Sequence, residues 1–178
     1  MIIITIFQLE NKIENGKKIF FCSQIEDLIP CPECSEELEY RDSVFRIFKV
    51  EGGKKNNLLI RRLQCCNCSR IHRELPDFLA PYKHYTTEVI ENVVDEIINS
   101  SDFDYPCEKT MQRWKDWILK NKDRINGHLK SVAFRILNFN EELLRSSVCL
   151  LSELQKEGEE WLGKILRVIY NSGRFLPP

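Results

Sequence analysis

Read as a pattern of apolar and polar positions, the chain divides near residue 82 into a strand-patterned first part and a helix-patterned second part. Residues 2–7 and 18–22 are β-branched and aromatic runs. Asn15-Gly16 between them is a strong hairpin signal, because both residues accept the positive φ that a tight hairpin turn demands. Residues 41–50 and 58–63 form a second pair of strand-like runs around Gly52-Gly53. In that pair Phe45, Ile47 and Leu59 are expected to cover one face, leaving Arg46, Lys49, Arg61 and Arg62 exposed or at the edges.

From residue 86 the period changes to that of a helix. Residues 86–98 open with two threonines and an acidic first turn, and place Val89, Ile90, Val93, Val94 and Ile97 on one side. A polar break is expected over 99–106. A second helix is predicted over 107–120, with Met111, Trp114 and Ile118 on its apolar stripe and Lys109, Gln112, Arg113, Asp116 and Lys120 opposite. A third helix is predicted over 122–138. Two more follow over 141–157, with Leu144, Val148, Leu151 and Leu154 in a stripe, and over 159–170, ended by 171–173. Between the two parts, Pro76 and Pro81 keep the chain extended while Phe78, Leu79, Tyr82 and Tyr85 can pin it to both neighbours. The expected fold class is α+β, with a β-hairpin and a ribbon over 1–82 and an all-helical part over 83–178. Within the helical part, 86–121 reads as a helix-turn-helix-like segment.

The chemistry concentrates in two Cys-x-x-Cys turns, Cys31 with Cys34 and Cys65 with Cys68. Such a turn brings two thiolates onto one metal, and two of them close a four-sulfur tetrahedral site, with Zn–S bonds of about 2.3 Å. The hairpin between them returns the chain to Cys65 beside Cys34, the layout of a zinc ribbon. Cys66 could compete through a one-residue slip, and His72 stands four residues past Cys68 as another ligand type. Cys65 with Cys68 preserves the two-residue gap, and four cysteines already complete the site, so His72 is expected at the surface or on a phosphate. Cys22 and Cys149 fall in apolar patterns and read as packed thiols.

Composition narrows the partners. With 43% hydrophobic residues the chain of 178 can build an ordinary core, yet its first third is too polar to fold on burial alone and calls for a metal staple. Eight cysteines fit an exported disulfide scaffold, but residues 1–7 lack the basic start of a signal peptide, so reduced thiols and a cytoplasmic protein are expected. No run approaches the roughly 20 apolar residues of a membrane span. The net charge of −1 hides a division: residues 41–73 hold nine Lys or Arg against two acids, and residues 86–106 hold six acids and no Lys or Arg. A basic module beside an acidic helix fits a directional partner such as nucleic acid. Arg46, Lys49, Arg61, Arg62, Arg70 and Arg73 are the expected phosphate contacts. Lys109, Gln112 and Arg113 are the expected base-reading residues, since Gln and Arg match adenine and guanine edges bidentately.

The stretch from Cys31-Pro-Glu-Cys to Arg61-Arg-Leu-Gln-Cys-Cys-Asn-Cys-Ser-Arg-Ile-His-Arg-Glu-Leu-Pro resembles the N-terminal zinc ribbon of bacterial insertion-sequence transposases and their small accessory proteins. It also resembles short bacterial proteins with the same ribbon followed by Leu-Pro-Asp-Phe-Leu-x-Pro-Tyr-Lys. The resemblance covers about residues 28–120 and implies one structural Zn²⁺ and DNA binding. It does not extend to an acidic-triad nuclease domain, for which the chain has no room. Four thiolates leave zinc no vacant position for water, and no nucleophile with a supporting base is evident. The sequence therefore reads as a noncatalytic accessory or regulatory factor of a mobile element, with no small-molecule substrate. A protein–protein adaptor using the ribbon and the C-terminal helices, which can also supply a homodimer surface, is the competing expectation.

Overall fold

The computed structural model describes residues 1–24, 29–98, 106–136, 149–158 and 160–178. Its first part is a six-stranded sheet: β1 (Ile2–Ile4), β2 (Phe7–Glu14), β3 (Lys17–Gln24), β4 (Leu38–Lys49), β5 (Lys55–Cys65) and β6 (Ile71–Pro76). The trunk is β5. One edge pairs with β4 antiparallel along its length, and the other is shared, with β3 parallel at Asn57 to Leu59 and β6 antiparallel at Arg62 to Gln64. At the turn between β2 and β3, Asn15 and Gly16 have φ of 50° and 72°, as a two-residue hairpin turn requires.

Two strand expectations change. Residues 2–7 do not form one arm of the first hairpin. Ile2 to Ile4 leave it to pair in parallel with Glu74 to Pro76, and the hairpin arm is the more polar β2, whose Glu10, Lys12 and Glu14 suit an edge strand facing water. In β4 the faces are the reverse of those predicted: Phe45 is 66% exposed and Ile47 46%, whereas Phe48 is buried. The inward face is chosen by a cluster of Phe48, Leu58, Ile60, Leu75 and Leu79, with Phe20 and Phe78 ringed about Phe48.

Among the described residues the α-helices are α1 (Thr87–Val94), α2 (Glu108–Ile136), α3 (Leu150–Lys156) and α4 (Trp161–Asn171). The predicted second and third helices are one helix of 29 residues. Asn121, at the expected break, is buried and donates its amide to the Trp117 carbonyl at 2.9 Å, so it meets its polar need without interrupting the helix. The α1–α2 connection runs from Asp95 to Cys107, longer than the roughly three or four residues of a helix-turn-helix. Leu144 and Val148 lie outside the described residues, as does most of the predicted polar break.

The helical core gathers Val89, Ile90 and Val93 of α1, Met111, Trp114, Ile118, Ile125 and Leu129 of α2, and the apolar face of α4. Glu91 ties α1 to α4: its buried carboxylate accepts the backbone N–H groups of Glu160 at 3.1 Å and Leu162 at 2.7 Å, where a helix start has unpaired donors. Trp161 Nε1 donates to Asp95 at 2.8 Å beside it. The C-terminal tail is part of this body, since Leu176 is buried and the Pro177 carbonyl accepts from Trp117 Nε1 at 2.6 Å.

Sheet and helices meet through β1. Ile3 belongs to the helical core, and Ile2, on the opposite face of the same strand, packs with Cys31, Leu38, Leu63 and Cys65. The free side of β1 is completed by Asn171, which accepts the Ile3 N–H at 2.7 Å and donates to the Ile3 carbonyl at 2.9 Å. A side-chain amide thus stands where another strand would otherwise pair.

Candidate metal centre

Both Cys-x-x-Cys segments fold into the same turn. In the first, the Cys31 N–H donates to the Glu36 carbonyl and Ser35 N–H to the Cys31 carbonyl, each at 2.8 Å. In the second, Cys65 N–H donates to the Arg70 carbonyl at 3.0 Å and Ser69 N–H to the Cys65 carbonyl at 3.1 Å. The serine after each pair takes a left-handed backbone, with φ of 64° at Ser35 and 58° at Ser69. That reversal wraps each turn around its own sulfurs. The β4–β5 ladder then sets the two turns side by side, because it pairs Leu38 with Cys65 and the Cys66 N–H reaches back to the Glu37 carbonyl at 3.2 Å.

The result is a cluster of four sulfurs, from Cys31, Cys34, Cys65 and Cys68, all within 4.8 Å of one another. Cys31 and Cys68 sulfurs are 3.7 Å apart and those of Cys34 and Cys65 3.4 Å. A tetrahedral ion with bonds of about 2.3 Å needs sulfur–sulfur edges of about 3.8 Å. The cluster therefore fits a metal ion with little adjustment. Cys31 and Cys65 are buried, and Ile2, Leu38 and Leu63 close the apolar side. All eight cysteines of the chain are free thiols.

Residues 31–114 match a protein family described as a domain of unknown function, DUF6431. The matched stretch begins on the first cysteine of the cluster, contains both turns and the hairpin between them, and ends at Trp114 in the helical core. It covers a little under half of the chain. No curated protein and no solved structure matches. Among the described residues no helix is long and apolar enough to cross a membrane.

Within the matched stretch the clustered thiols differ in their electrostatics. Backbone N–H groups, that of Cys68 first, bring the Cys65 thiol down to about 7. Cys68 receives the Arg70 N–H, but burial and the neighbouring sulfurs push it up to about 12. Four thiols this close cannot all ionise unless a positive ion shares the site. Cys66 is exposed, and local desolvation of its sulfur together with Glu39 and Glu37 raises its thiol. It lies outside the cluster. Cys22 packs against the Phe48 cluster, and burial drives its thiol up to about 12.

His72 is not at the surface. It is 3% exposed, with Nε2 3.5 Å from the Cys31 sulfur and Nδ1 3.2 Å from the α-nitrogen of Met1. Burial lowers its pKa. The sequence signal was its place on β6, where alternation from the pairing of Leu63 with His72 carries the ring to the same side as Cys65.

Of the arginines expected on an open phosphate-facing surface, Arg46, Arg61, Arg62 and Arg70 are engaged within the protein. Arg46 is half-buried and donates to the Ala80 and Lys83 carbonyls, and burial, helped by Arg73, pushes its pKa down to about 10. Arg61 holds the buried Glu74 with two hydrogen bonds, the shorter 2.5 Å. Arg62 forms the same fork on Asp42, and Arg70 pairs with Glu33 at 2.7 Å. Lys49 lies over the Tyr85 ring at 5.0 Å. Arg73 is exposed. On α2, Lys109, Gln112 and Arg113 are exposed together on the first two turns, with Gln112 donating to Asp116 at 2.8 Å.

Proposed function

We propose that the chain is a zinc-stabilised DNA-binding protein that serves a bacterial mobile element as an accessory or regulatory factor in the cytoplasm. The observation that carries the reading is the pairing of a four-sulfur cluster with a long helix whose first two turns present Lys109, Gln112 and Arg113 to solvent. Zinc suits four thiolates better than hard cations do. Held by Cys31, Cys34, Cys65 and Cys68, one Zn²⁺ would staple the ribbon and keep no position for water, so its role is structural and the protein is noncatalytic. In this reading α1 and α2 act as a helix-turn-helix-like pair with a long connection, and α2 supplies base discrimination. Arg73 supplies a phosphate contact directly; Arg46, Lys49, Arg61, Arg62 and Arg70 would do so only by exchanging an internal partner for a phosphate.

The test is binding of a random fluorescent duplex library to zinc-loaded protein across a salt series. Binding that weakens steeply with salt supports the proposal. No binding at low salt by protein carrying one zinc per chain would end it. A second reading, a protein–protein adaptor, is favoured by one observation: Phe45 and Ile47 stand exposed on the outer face of the ribbon, while four of its arginines are already paired. Phe45→Ser should leave DNA binding unchanged if the first reading holds.

A further inference from the structure

We infer that His72 is a positioning residue of the metal centre, its Nε2–H donating to the Cys31 sulfur and holding one ligand from outside both cysteine turns. The inference rests on reading the four cysteines as a metal site. It begins with strand alternation: His72 pairs with Leu63, and Ile2 pairs with Glu74, so His72, Glu74 and Ile2 share the side of the sheet on which Cys31 and Cys65 are buried.

A buried imidazole must match both nitrogens to partners. Nδ1 faces the α-nitrogen of Met1 at 3.2 Å. As an ammonium or as a peptide N–H that nitrogen can only donate, so Nδ1 accepts. The ring proton then sits on Nε2, 3.5 Å from the Cys31 sulfur. A metal-bound thiolate accepts only, so the polarity of the whole row is consistent.

Four thiolates carry more negative charge than one divalent ion neutralises, and two of these sulfurs belong to buried cysteines. Each N–H aimed at a sulfur offsets part of that excess. Cys65 obtains one from the Cys68 backbone at 3.5 Å. Cys31 obtains one from the imidazole. Partners that hold a ligand in this way are commonly worth about 10–100-fold in metal affinity.

The experiment compares full-length wild type, His72→Phe and His72→Gln by zinc competition against a chromophoric chelator, with cobalt(II) spectra of each. Expected are a loss of about 10–100-fold in affinity for His72→Phe, substantial recovery in His72→Gln, whose amide can donate from the same place, and four-thiolate cobalt spectra throughout. Undiminished affinity in His72→Phe overturns the inference. So does equal loss in both variants, which would mean packing, or a nitrogen–trithiolate spectrum in the wild type, which would make His72 a ligand. Imidazole ¹⁵N shifts of the zinc-loaded wild type give an answer independent of any variant's folding: Nε2–H is expected, and Nδ1–H refutes the assignment. Failure of the wild type to bind zinc at all would instead count against the metal reading beneath it.

Discussion

A Cβ on Gly173 would stand 2.6 Å from the carbonyl oxygen of Pro32, so the residue just past the last helix is fitted against the first cysteine turn. Gly173 also has φ of 76°, in the left-handed region. Gly173→Ala therefore meets both backbone strain and a collision with main chain, and should cost about 2–3 kcal/mol in urea unfolding. Because Pro32 lies between Cys31 and Cys34, the same substitution should accelerate metal loss to a chelator. Unchanged stability and release would show that this contact is slack.

Metal content separates ligands from bystanders. Purified, reduced wild type should carry about one zinc per chain, as one closed four-thiolate site demands. Cys34→Ser should carry less than half as much, and Cys66→Ser, whose residue is exposed outside the cluster, should match wild type. Equal zinc in Cys34→Ser and wild type by elemental analysis would rule out the four-cysteine assignment.

The two arginine forks should respond differently to truncation. Glu74 has a side chain only 3% exposed, so Arg61→Ala strands a carboxylate away from water and should cost about 2–3 kcal/mol. Arg62→Ala frees Asp42, which is 39% exposed and can turn to solvent, and the change should be small. Adding Glu74→Gln to Arg61→Ala should recover part of the loss. Equal effects of the two single substitutions in thermal unfolding would contradict this account.

Glu91 gives the fold a pH dependence with a defined sign. Burial raises its carboxyl above the ordinary 4.5, against the pull of the α4 N–H groups. The folded state then holds this proton more tightly than the unfolded state does. Its contribution to stability is fullest below 4.5 and is lost as pH rises from there through the raised value. The stability of wild type relative to Glu91→Gln should accordingly fall across that window in urea titrations at successive pH. A difference that stays flat with pH would show that the α4 N–H groups fully compensate the burial.

What was legible in the sequence was local. The Cys-x-x-Cys spacing fixes two turns by itself, Asn15-Gly16 specifies its own hairpin, and the helical period exposes Met111, Trp114 and Ile118 as a buried stripe. What stayed hidden depended on distant partners. Both faces of β4 carry apolar residues, and partners elsewhere in the chain, Leu75 and Leu79 with Phe20 and Phe78 among them, select Phe48 over Phe45. The arginines looked free because their acceptors, Asp42, Glu74 and Glu33, are not neighbours in the pattern. His72 looked superficial because burial on β6 depends on β1 returning beside it. Asn121 looked like a break because its side chain's route back to Trp117 is invisible until the helix exists.

The clamp of Asn171 on Ile3 spans 168 positions of the chain. During translation β1 leaves the ribosome long before β6 and longer still before α4. The cysteine turns and the β4–β5 hairpin can assemble meanwhile, but β1 must wait, its Ile2 and Ile3 unshielded. Closure around β1 therefore waits for α4, and a chain halted before residue 171 would offer that apolar strand to whatever chaperone or protease is near.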